Sequence, residues 1–469
     1  MTAVADWFRA LPQRYGKRTL IALGAIVLLG LVVRAYVVVN PVEHPGDDSR
    51  AYYALSKALY TEQSFGGPEF EDSSDWSPGA PFLYAAAYYA TGGAREGTAR
   101  IVEALLGIAT ILVVFALGWR LGGRDRGRWV GLFAAFAVAV YPPFLHTTGE
   151  LMSEPPAMLT LPAAVLAFLW AAERDKTWPW LVPGLLFGLT AMFRPEYLLV
   201  GVAFALLAIL RPSSPFVRDS ATKGELGGGS RRLRRRVISA GVMVLGLVVV
   251  VLPWTVRNYV VLDKVVPIST GGGKALYVGT YLPADGEYQR VKELLAQRYL
   301  RNPSGYTDEE LDEIDPTPLF DEAAGQYPDL PRDEALGKIG KENFREYFGE
   351  DPWGYLAMTA RKVGRMWSSG VGEAMSTPLG HAVQILLVAL GLADFALLGL
   401  RRRWWELVVL ATPILLVTAV AAISLAAPRR NEVLMTLVFP LAGLALSSAI
   451  ARISSGREWS SEQASSRPS

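Results

Sequence analysis

The sequence predicts an all-α protein that crosses a membrane many times. Hydrophobic residues make up 51% of the 469 positions and charged residues only 19%. The apolar residues gather in runs of about 20, the length of helix that spans a bilayer. Basic residues fall in short clusters between these runs, which argues against nucleic acid as a partner because such binding needs a continuous basic face.

Ten apolar segments are predicted to span the membrane. Residues 178–211 form one apolar stretch that "FRPE" interrupts at Phe193–Glu196, so we interpret it as two short spans joined by a sharp turn. The first run is predicted to be an uncleaved anchor, because it is too long for a signal-peptide core and "VVVN" is no small-residue cleavage site. The other predicted spans are 19–39, 98–119, 129–145, 151–172, 237–255, 381–400, 404–425 and 432–452.

The basic clusters predict the orientation. "RALPQRYGKR", "RLGGRDRGR", "ERDK", "RRLRRR" and "RRRWW" occur at alternate connections, so ten spans place all of them on one side. Basic connections remain on the cytoplasmic side of a membrane. We therefore expect a multi-pass protein of a bacterial-type plasma (inner) membrane with both termini in the cytoplasm and any site in the other connections on the outer face.

This topology predicts a division of the chain into membrane modules and one larger outer region. The outer region contains three stretches with helical spacing, "GEYQRVKELLAQRYL", "RDEALGKIGKENFREYF" and the amphipathic "DPWGYLAMTARKVGRMW". The predicted parts are an N-terminal membrane module at 1–255 with a first outer loop at 40–97, a flexible basic cytoplasmic linker at 212–236, the outer region at 256–380, C-terminal spans at 381–452 and a disordered polar tail at 453–469.

Two adjacent carboxylates, Asp47 and Asp48, follow the first span directly. They begin "SRAYYALSKALY", where Tyr52, Leu55 and Leu59 lie at helical spacing. One interpretation is a helix cap, because helix N-termini favour acidic residues. The other is a general base that takes a proton from an attacking hydroxyl, with its neighbour in support. A second helix-like stretch, "SPGAPFLYAAAYYATGG", follows a loop.

Further charged residues lie at the predicted outer ends of spans. Charged groups at this depth face a wet cavity or a partner, so they predict either a site or structural ion pairs and snorkelling side chains. Arginines are suited to phosphate because their planar fork of donors matches its oxygens. The residues are Glu154, Arg194, Glu196, Arg257, Arg429 and Arg430.

In this pattern the chain resembles the GT-C superfamily of membrane glycosyltransferases, and within it the protein O-mannosyltransferase and lipid A aminoarabinose transferase group. The stretches that carry the resemblance follow the family order: "GDDSRAYYALSKAL", "DWSPGAPFLYAAAYYATG", "SEPPAMLTLPAAVLAFL", "GLLFGLTAMFRPEYLLV", "PWTVRNYVVLDKVVPISTGGGKALYVGT", "DPWGYLAMTARKVGRMW" and "PRRNEVLMTLVFPLAGLAL". The closing stretch departs from the usual Arg-Tyr-Arg, which leaves open whether Arg429 or Arg430 carries the family role.

The resemblance implies transfer of a sugar from a polyprenyl-phosphate donor to a hydroxyl acceptor on the outer face of the membrane. It places the catalytic acid at Asp47, with Asp48 in support. It implies donor phosphate contacts from Arg194, Arg257, Arg429 and Arg430, and substrate contacts from Tyr52, Glu154, Glu196, Asn258 and Lys274. The glycines of "STGGGK" either let the backbone approach the donor or only form a loop.

Other functions and requirements follow from what the sequence contains. With no cysteine and three histidines, thiol chemistry is excluded and a multi-histidine metal centre is not expected. No cofactor is required, and a divalent metal is not indicated. The alternative function is a transporter or lipid flippase of envelope precursors, although we find no internal repeat and no polar residues along the span centres. Expected partners are the donor, an unidentified hydroxyl acceptor (protein, lipid or glycan) and membrane lipids.

Overall fold

The computed structural model describes residues 13, 15–41, 46–66, 73–211, 228–300, 305–307, 310–311, 314–400 and 403–465. This part of the chain forms α-helices, short 3₁₀ turns and no β-strand, which confirms the all-α prediction. The helices are Lys17–Val39 (α1), Asp47–Thr61 (α2), Gly79–Thr91 (α3), Glu96–Val140 (α4), Pro142–Gly149 (α5), Glu154–Ala172 (α6), Leu181–Phe193 (α7), Tyr197–Leu210 (α8), Gly228–Leu262 (α9), Gly272–Thr280 (α10), Tyr288–Tyr299 (α11), Pro316–Ala324 (α12), Arg332–Glu350 (α13), Pro352–Ser368 (α14), Glu373–Ser376 (α15), Pro378–Leu400 (α16), Trp404–Ile423 (α17) and Arg429–Ser465 (α18).

Each of the ten predicted apolar segments forms a helix over most of its length. Helices α1, α4, α6, α9, α16, α17 and α18 are long and apolar enough to cross a membrane, and α7 and α8 are the two shorter apolar helices around the "FRPE" turn. Helix α4 contains two predicted spans and reverses at Gly123, whose φ is +66°. A Cβ on Gly122 would lie 2.7 Å from the backbone of Gly127, so the halves of α4 form a tight hairpin.

Several boundaries differ from the prediction, most often beside prolines. The span predicted at 129–145 ends at Val140, because Pro142 disfavours the helical conformation of Tyr141 before it. The helix predicted from 151 begins at Glu154, where Pro155 starts the first turn. Residues 150–153 therefore form a connection between α5 and α6 that begins with extended backbone at Glu150. We refer to these residues as the extended connection.

The predicted linker and tail are only partly described. Within the predicted linker, 212–227 lies outside the described residues, and 228–236 forms the first turns of α9. The tail predicted to be disordered from 453 instead continues α18 to Ser465. Its glutamate, glutamine, alanine and arginine residues favour a helix, and its proline comes only at 468.

The basic connections meet at one end of the helical bundle. Arg403 Nη1 donates to the Leu121 carbonyl at 2.9 Å, which joins the connection before α17 to the hairpin of α4. Arg120 pairs with Glu173 at 2.8 Å, which adds the connection after α6. Three of the five basic clusters thus share an end, as the topology prediction requires.

Helix α18 forms the centre of the bundle. It packs against α4, α6 and α16, and its residues from Asn431 to Ala445 are buried on every side. A helix that is apolar all round is stable only when other helices surround it. Its first residues, Arg429 and Arg430, therefore lie at the middle of the end opposite the basic connections.

The outer region forms a second, smaller core on helices α10 to α13. Its buried residues include Tyr277, Leu295, Phe320 and Leu336. The three helices predicted there are present as α11, α13 and α14, with nearly the predicted bounds. An ion pair from Arg332 on α13 to Asp75, at 2.9 Å, joins this region to the first outer loop.

Candidate active site

The predicted acidic pair begins helix α2. Asp47 is the first residue of the helix, and its side chain lies outside the described part of the structure. The carboxylate of Asp48 forms an ion pair with the guanidinium of Arg429, the first residue of α18. The two side chains remain 27% and 36% exposed, so water and a substrate can reach the pair. Two helix starts that are far apart in sequence thus meet at one point.

A second ion-pair cluster surrounds Arg194 in the turn between α7 and α8. Its Nη1 pairs with Glu154 at the start of α6, and its Nη2 lies 3.0 Å from Glu196. Burial alone would raise the pKa of Glu196, but the charges of Arg194 and Arg430 outweigh it and hold that pKa at about 2. Arg194 thus has two carboxylate partners. Because an arginine that binds phosphate needs free donors, this pairing argues for a structural role of Arg194 rather than the predicted phosphate contact.

Arg430 differs from its neighbours in its partners. Within the described residues no carboxylate lies within ion-pair distance of its guanidinium, which makes only a long contact of 3.4 Å to the Ser424 hydroxyl. Its charge nevertheless acts on Glu196 and Tyr197. Arg430 therefore offers unsatisfied donors beside the Arg194 cluster, which suits an anionic ligand.

Tyr52 lies between the two ion-pair clusters. It occupies the turn of α2 after Asp48, is 6% exposed and lies beside Ser153. Burial, followed by the charges of Asp48 and Glu154, raises the pKa of its hydroxyl, so Tyr52 stays neutral. A neutral hydroxyl in this place can orient a bound ligand by hydrogen bonding.

Lys274 approaches the site from the outer region. Its Nζ lies 4.7 Å from the ring centroid of Phe320. Burial lowers the pKa of its ammonium group, whereas the negative charges of Asp48 and Asp75 act to raise it. Its ammonium group thus interacts electrostatically with Asp48 while it packs against an aromatic ring of the outer region.

The glycines before Lys274 have a packing role. A Cβ on Gly273 would lie 1.8 Å from the Asp333 carbonyl oxygen, and Gly271 has a φ of +87°. Asp333 also accepts a hydrogen bond from the backbone N–H of Lys274 at 2.9 Å. These contacts with α13 account for the glycines without an approach to the donor.

Arg257 and Asn258 lie in a different environment. The guanidinium of Arg257 stacks over Trp254, 4.8 Å from the ring centroid, and donates to the Phe65 carbonyl at 3.1 Å. The fully buried amide of Asn258 donates to the carbonyls of Val266 and Ile268. Both residues hold the end of α9 against neighbouring loops, and none of their described hydrogen bonds or ring contacts involves the ion-pair clusters.

Two further acids belong to the site and were not among the predicted residues. Glu150 accepts from the Gly46 N–H at 3.4 Å, and burial raises its carboxyl pKa although His146 opposes this. Glu432 is fully buried on α18, and neither carboxyl oxygen has a hydrogen-bond partner among the described residues. The sequence contained a signal for each, since Glu150 ends an outward turn and Glu432 lies in "PRRNE".

The described residues contain no group of three or more histidine, cysteine or acidic residues arranged to hold a metal ion. The site instead combines carboxylates with arginine and lysine side chains. Such a combination can accept a proton from a hydroxyl and bind an anionic leaving group.

Comparison with solved structures defines the class of fold. The chain is similar to the archaeal oligosaccharyltransferase AglB from Archaeoglobus fulgidus, solved with an inhibitory peptide and a dolichol-phosphate, with a TM-score of 0.56 and 16% identity over 98% of this chain and 53% of that one. The apo form of the Archaeoglobus fulgidus oligosaccharyltransferase gives 0.55 and 16%, over 94% and 52%. The chain spans about half the length of these proteins. It has the GT-C fold of membrane glycosyltransferases, which confirms the fold that the resemblance implied.

The sequence itself matches one family model. Residues 75–224 match dolichyl-phosphate-mannose-protein mannosyltransferase, a family with the same fold. No curated protein matches the chain significantly. ArnT from Cupriavidus metallidurans bound to undecaprenyl phosphate is 14% identical over 95% of this chain and 80% of that one, with a TM-score of only 0.38.

Proposed function

We propose that this chain transfers a sugar from a polyprenyl-phosphate donor to a hydroxyl acceptor at the outer face of the membrane. The observation that carries the proposal is the meeting of two helix starts through the Asp48–Arg429 pair. It brings an acidic pair, which can activate a hydroxyl, next to arginines that can bind a phosphate. Both requirements of the reaction are then met within one partly exposed site.

The two aspartates have different roles in this proposal. Proton uptake by Asp48 would break its pair with Arg429, so Asp48 is suited to support and orient the site. Asp47 takes the proton from the acceptor hydroxyl while the oxygen of that hydroxyl forms a bond to the sugar carbon. The bond between that carbon and the phosphate oxygen breaks, and polyprenyl phosphate leaves with the bonding electrons.

Arg430 is the main ligand for the leaving phosphate. It has donors that no carboxylate occupies in the described structure, whereas Glu154 and Glu196 surround Arg194. Fixed cations stabilise the negative charge that develops on a leaving phosphate. Arg429 contributes a second guanidinium while it holds Asp48, and Lys274 and Tyr52 complete the substrate surface.

The matched family and one of the similar structures support the class of donor. The matched family is named for dolichyl-phosphate-mannose, and AglB was solved with a dolichol-phosphate. A polyprenyl tail remains in the bilayer, so its phosphate lies at headgroup depth. The starts of α6 and α18 provide Glu154, Arg429 and Arg430 at the corresponding end of the bundle.

The experiment is sugar transfer by the purified chain in liposomes, with radiolabelled dolichyl- or undecaprenyl-phosphate mannose and an envelope extract as acceptor. Transfer of label to a product identified by mass spectrometry is expected in the parent and not in Asp47→Asn. Turnover is expected to be unchanged in EDTA, because the proposed chemistry uses carboxylates and guanidinium groups and requires no cofactor. Movement of the labelled donor across the bilayer without product would instead favour the transporter or flippase.

A further inference from the structure

The extended connection between α5 and α6 is held by side chains from α2. Residues Leu151, Met152 and Ser153 are buried although they belong to no helix. The Leu151 N–H donates to the Ser49 hydroxyl at 3.0 Å, and the Tyr52 hydroxyl of the same helix lies beside Ser153. Since α2 also begins with the acidic pair, the connection and the acidic pair are mechanically joined.

Helices α3 and α4 hold the same connection from the other side. The Met152 N–H donates to Glu103 Oε1 at 2.8 Å, and the Tyr84 hydroxyl donates to the Met152 carbonyl at 2.7 Å. The same hydroxyl also lies within hydrogen-bond distance of Glu103 Oε1, so its one proton is shared between these two acceptors. Glu103 and Tyr84 are fully buried, so both backbone polar groups of Met152 are fixed by groups that water does not reach.

Glu103 is unusual for a buried acid in a transmembrane helix. No cation pairs with it in the described structure, and its Oε2 has no hydrogen-bond partner there. A buried carboxyl group without a cation is costly, and an apolar side chain would fill the same space with less penalty. The cost indicates that the contacts of Oε1 serve a purpose beyond packing.

We infer that Glu103 is a positioning residue for the transfer reaction, acting with Tyr84 through the backbone of Met152. This inference rests on the proposed function. The fixed connection ends at Glu154, which pairs with Arg194, and it is bonded through Ser49 to the helix of Asp47 and Asp48. Glu103 therefore fixes the helix of the proton acceptor relative to the Glu154–Arg194 pair, whose charges lie beside Arg430.

The hydrogen bonds of Glu103 distinguish positioning from proton transfer. The Met152 N–H donates to Oε1, and the single proton of the Tyr84 hydroxyl goes to Oε1 or to the Met152 carbonyl. An amide oxygen accepts from these donors as a carboxylate oxygen does. The amide nitrogen of Glu103→Gln takes the place of Oε2, which has no partner among the described residues. Glu103→Gln thus preserves the positioning contacts and removes the titratable group, whereas Glu103→Leu removes both.

The test compares these two variants as full-length chains in lipid nanodiscs. We expect Glu103→Leu to lower kcat on the order of tenfold to a hundredfold, because small misplacements of reacting groups have effects of this size. Donor binding, measured directly with undecaprenyl-phosphate mannose, is expected to stay within about twofold, since the arginines remain. Glu103→Gln is expected to keep kcat within about threefold.

Hydrogen exchange at the Met152 amide provides a readout that does not depend on activity. Exchange should be faster in Glu103→Leu and parent-like in Glu103→Gln. If Glu103→Leu fails to fold, Tyr84→Phe gives the same test, because it removes the bond to the Met152 carbonyl and leaves the ring in place. Tyr84→Phe is expected to lower kcat with unchanged donor binding.

Specific results would overturn the inference. Parent-like kcat in Glu103→Leu would show that the transfer reaction does not depend on positioning by Glu103. Equal loss of activity in Glu103→Gln and Glu103→Leu would indicate that Glu103 transfers a proton instead. A parallel loss of donor binding and kcat would indicate general damage to the fold. If the parent itself transfers no sugar, the proposed function fails, while the exchange comparison still decides whether Glu103 fixes the connection.

Discussion

At the scale of single residues, the main question is whether Asp47 caps a helix or accepts a proton. We expect Asp47→Asn to lower the transfer rate by about 10²–10⁴, the usual effect of losing a general base. Asparagine caps helices nearly as well as aspartate, so a capping role predicts almost no effect. Asp351→Asn is a matched control, because Asp351 caps α14 through the Gly354 N–H at 2.9 Å. Unchanged turnover in both variants would return Asp47 to a capping role.

The two arginines at the start of α18 are expected to differ in function. Replacing Arg430 with glutamine should weaken binding of a polyprenyl-phosphate sugar by about 1.5–3 kcal/mol, because a charge-assisted contact to phosphate is lost. Replacing Arg429 should mainly lower turnover, because Asp48 loses its partner. Arg257→Ala is a comparison, since the described contacts of Arg257 are to Trp254 and the Phe65 carbonyl and not to the clusters. Equal donor binding by parent and Arg430→Gln, measured by titration, would refute the assignment.

Lys362 predicts a pH-dependent stability. It is fully buried on α14, where its Nζ donates to the carbonyls of Gly279 at 2.6 Å and Ser424 at 3.0 Å. Burial, and then the nearby arginines, lower its pKa to about 8, from about 10.5 in the unfolded chain. The unfolded state then binds more protons between these values, so stability should rise as pH increases from about 8 to about 10.5.

Thermal unfolding of the parent and of Lys362→Met across this range tests the prediction for Lys362. The parent should gain stability relative to the variant as pH rises. Two N–H donors remain on the neutral amine, which is enough for both carbonyls. A constant difference between the two proteins would mean that Lys362 keeps an ordinary pKa.

The sequence pointed to single site residues only where charge interrupted an apolar pattern. Asp48, Arg194 and Arg429 were identified because they lie at the ends of apolar runs, where charge is unexpected. Glu103 and Tyr84 were missed because their importance depends on Met152, which is far away in sequence. No periodicity or local motif encodes a contact of that kind.

At the scale of helices, the contact between α10 and the segment before α18 controls the position of Arg429 and Arg430. A Cβ on Gly279 would lie 2.1 Å from the Ser424 carbonyl carbon. Gly279→Ala should therefore separate α10 from this segment and reduce stability by about 1–3 kcal/mol, the usual cost of overpacking. Donor binding should fall with it.

Gly364→Ala is the matched control for this contact. Gly364 lies on the exposed side of α14, where a Cβ would meet no described atom of a neighbouring element within 4 Å, so alanine should be neutral or stabilising because it favours helices. Melting temperatures and donor titrations of both variants provide the measurement. Equal melting temperatures for Gly279→Ala and the parent would show that the contact has no energetic importance.

Helix existence followed from the sequence more reliably than helix ends. Apolar periodicity predicted the spans and the outer helices α11, α13 and α14. The extended connection before Glu154 was hidden inside an apolar run, although Pro142 and Pro155 marked its neighbourhood. The kinked hairpin of α4 was predicted as two spans, and its close approach depends on glycines that face each other across the turn.

At the scale of the whole molecule, the basic connections lie at one end and the ion-pair site at the other. Arginine-rich connections remain in the cytoplasm, so the site and the outer region should face outward. Because the chain has no cysteine, single cysteines report the side of the membrane without background labelling. Glu346→Cys on α13 and Arg234→Cys at the start of α9 are suitable positions, since both residues are exposed.

A membrane-impermeant maleimide applied to intact cells should label Glu346→Cys, and Arg234→Cys only after the membrane is permeabilised. The expected contrast has a physical basis, because translocating a cluster such as "RRLRRR" against the membrane potential is unfavourable for every charge. Parent-like sugar transfer by both variants would show that the substitutions leave the fold intact. The opposite labelling pattern would place Asp47 and Arg430 in the cytoplasm, where an outer-face acceptor could not reach them, and would refute the orientation and the proposed direction of transfer together.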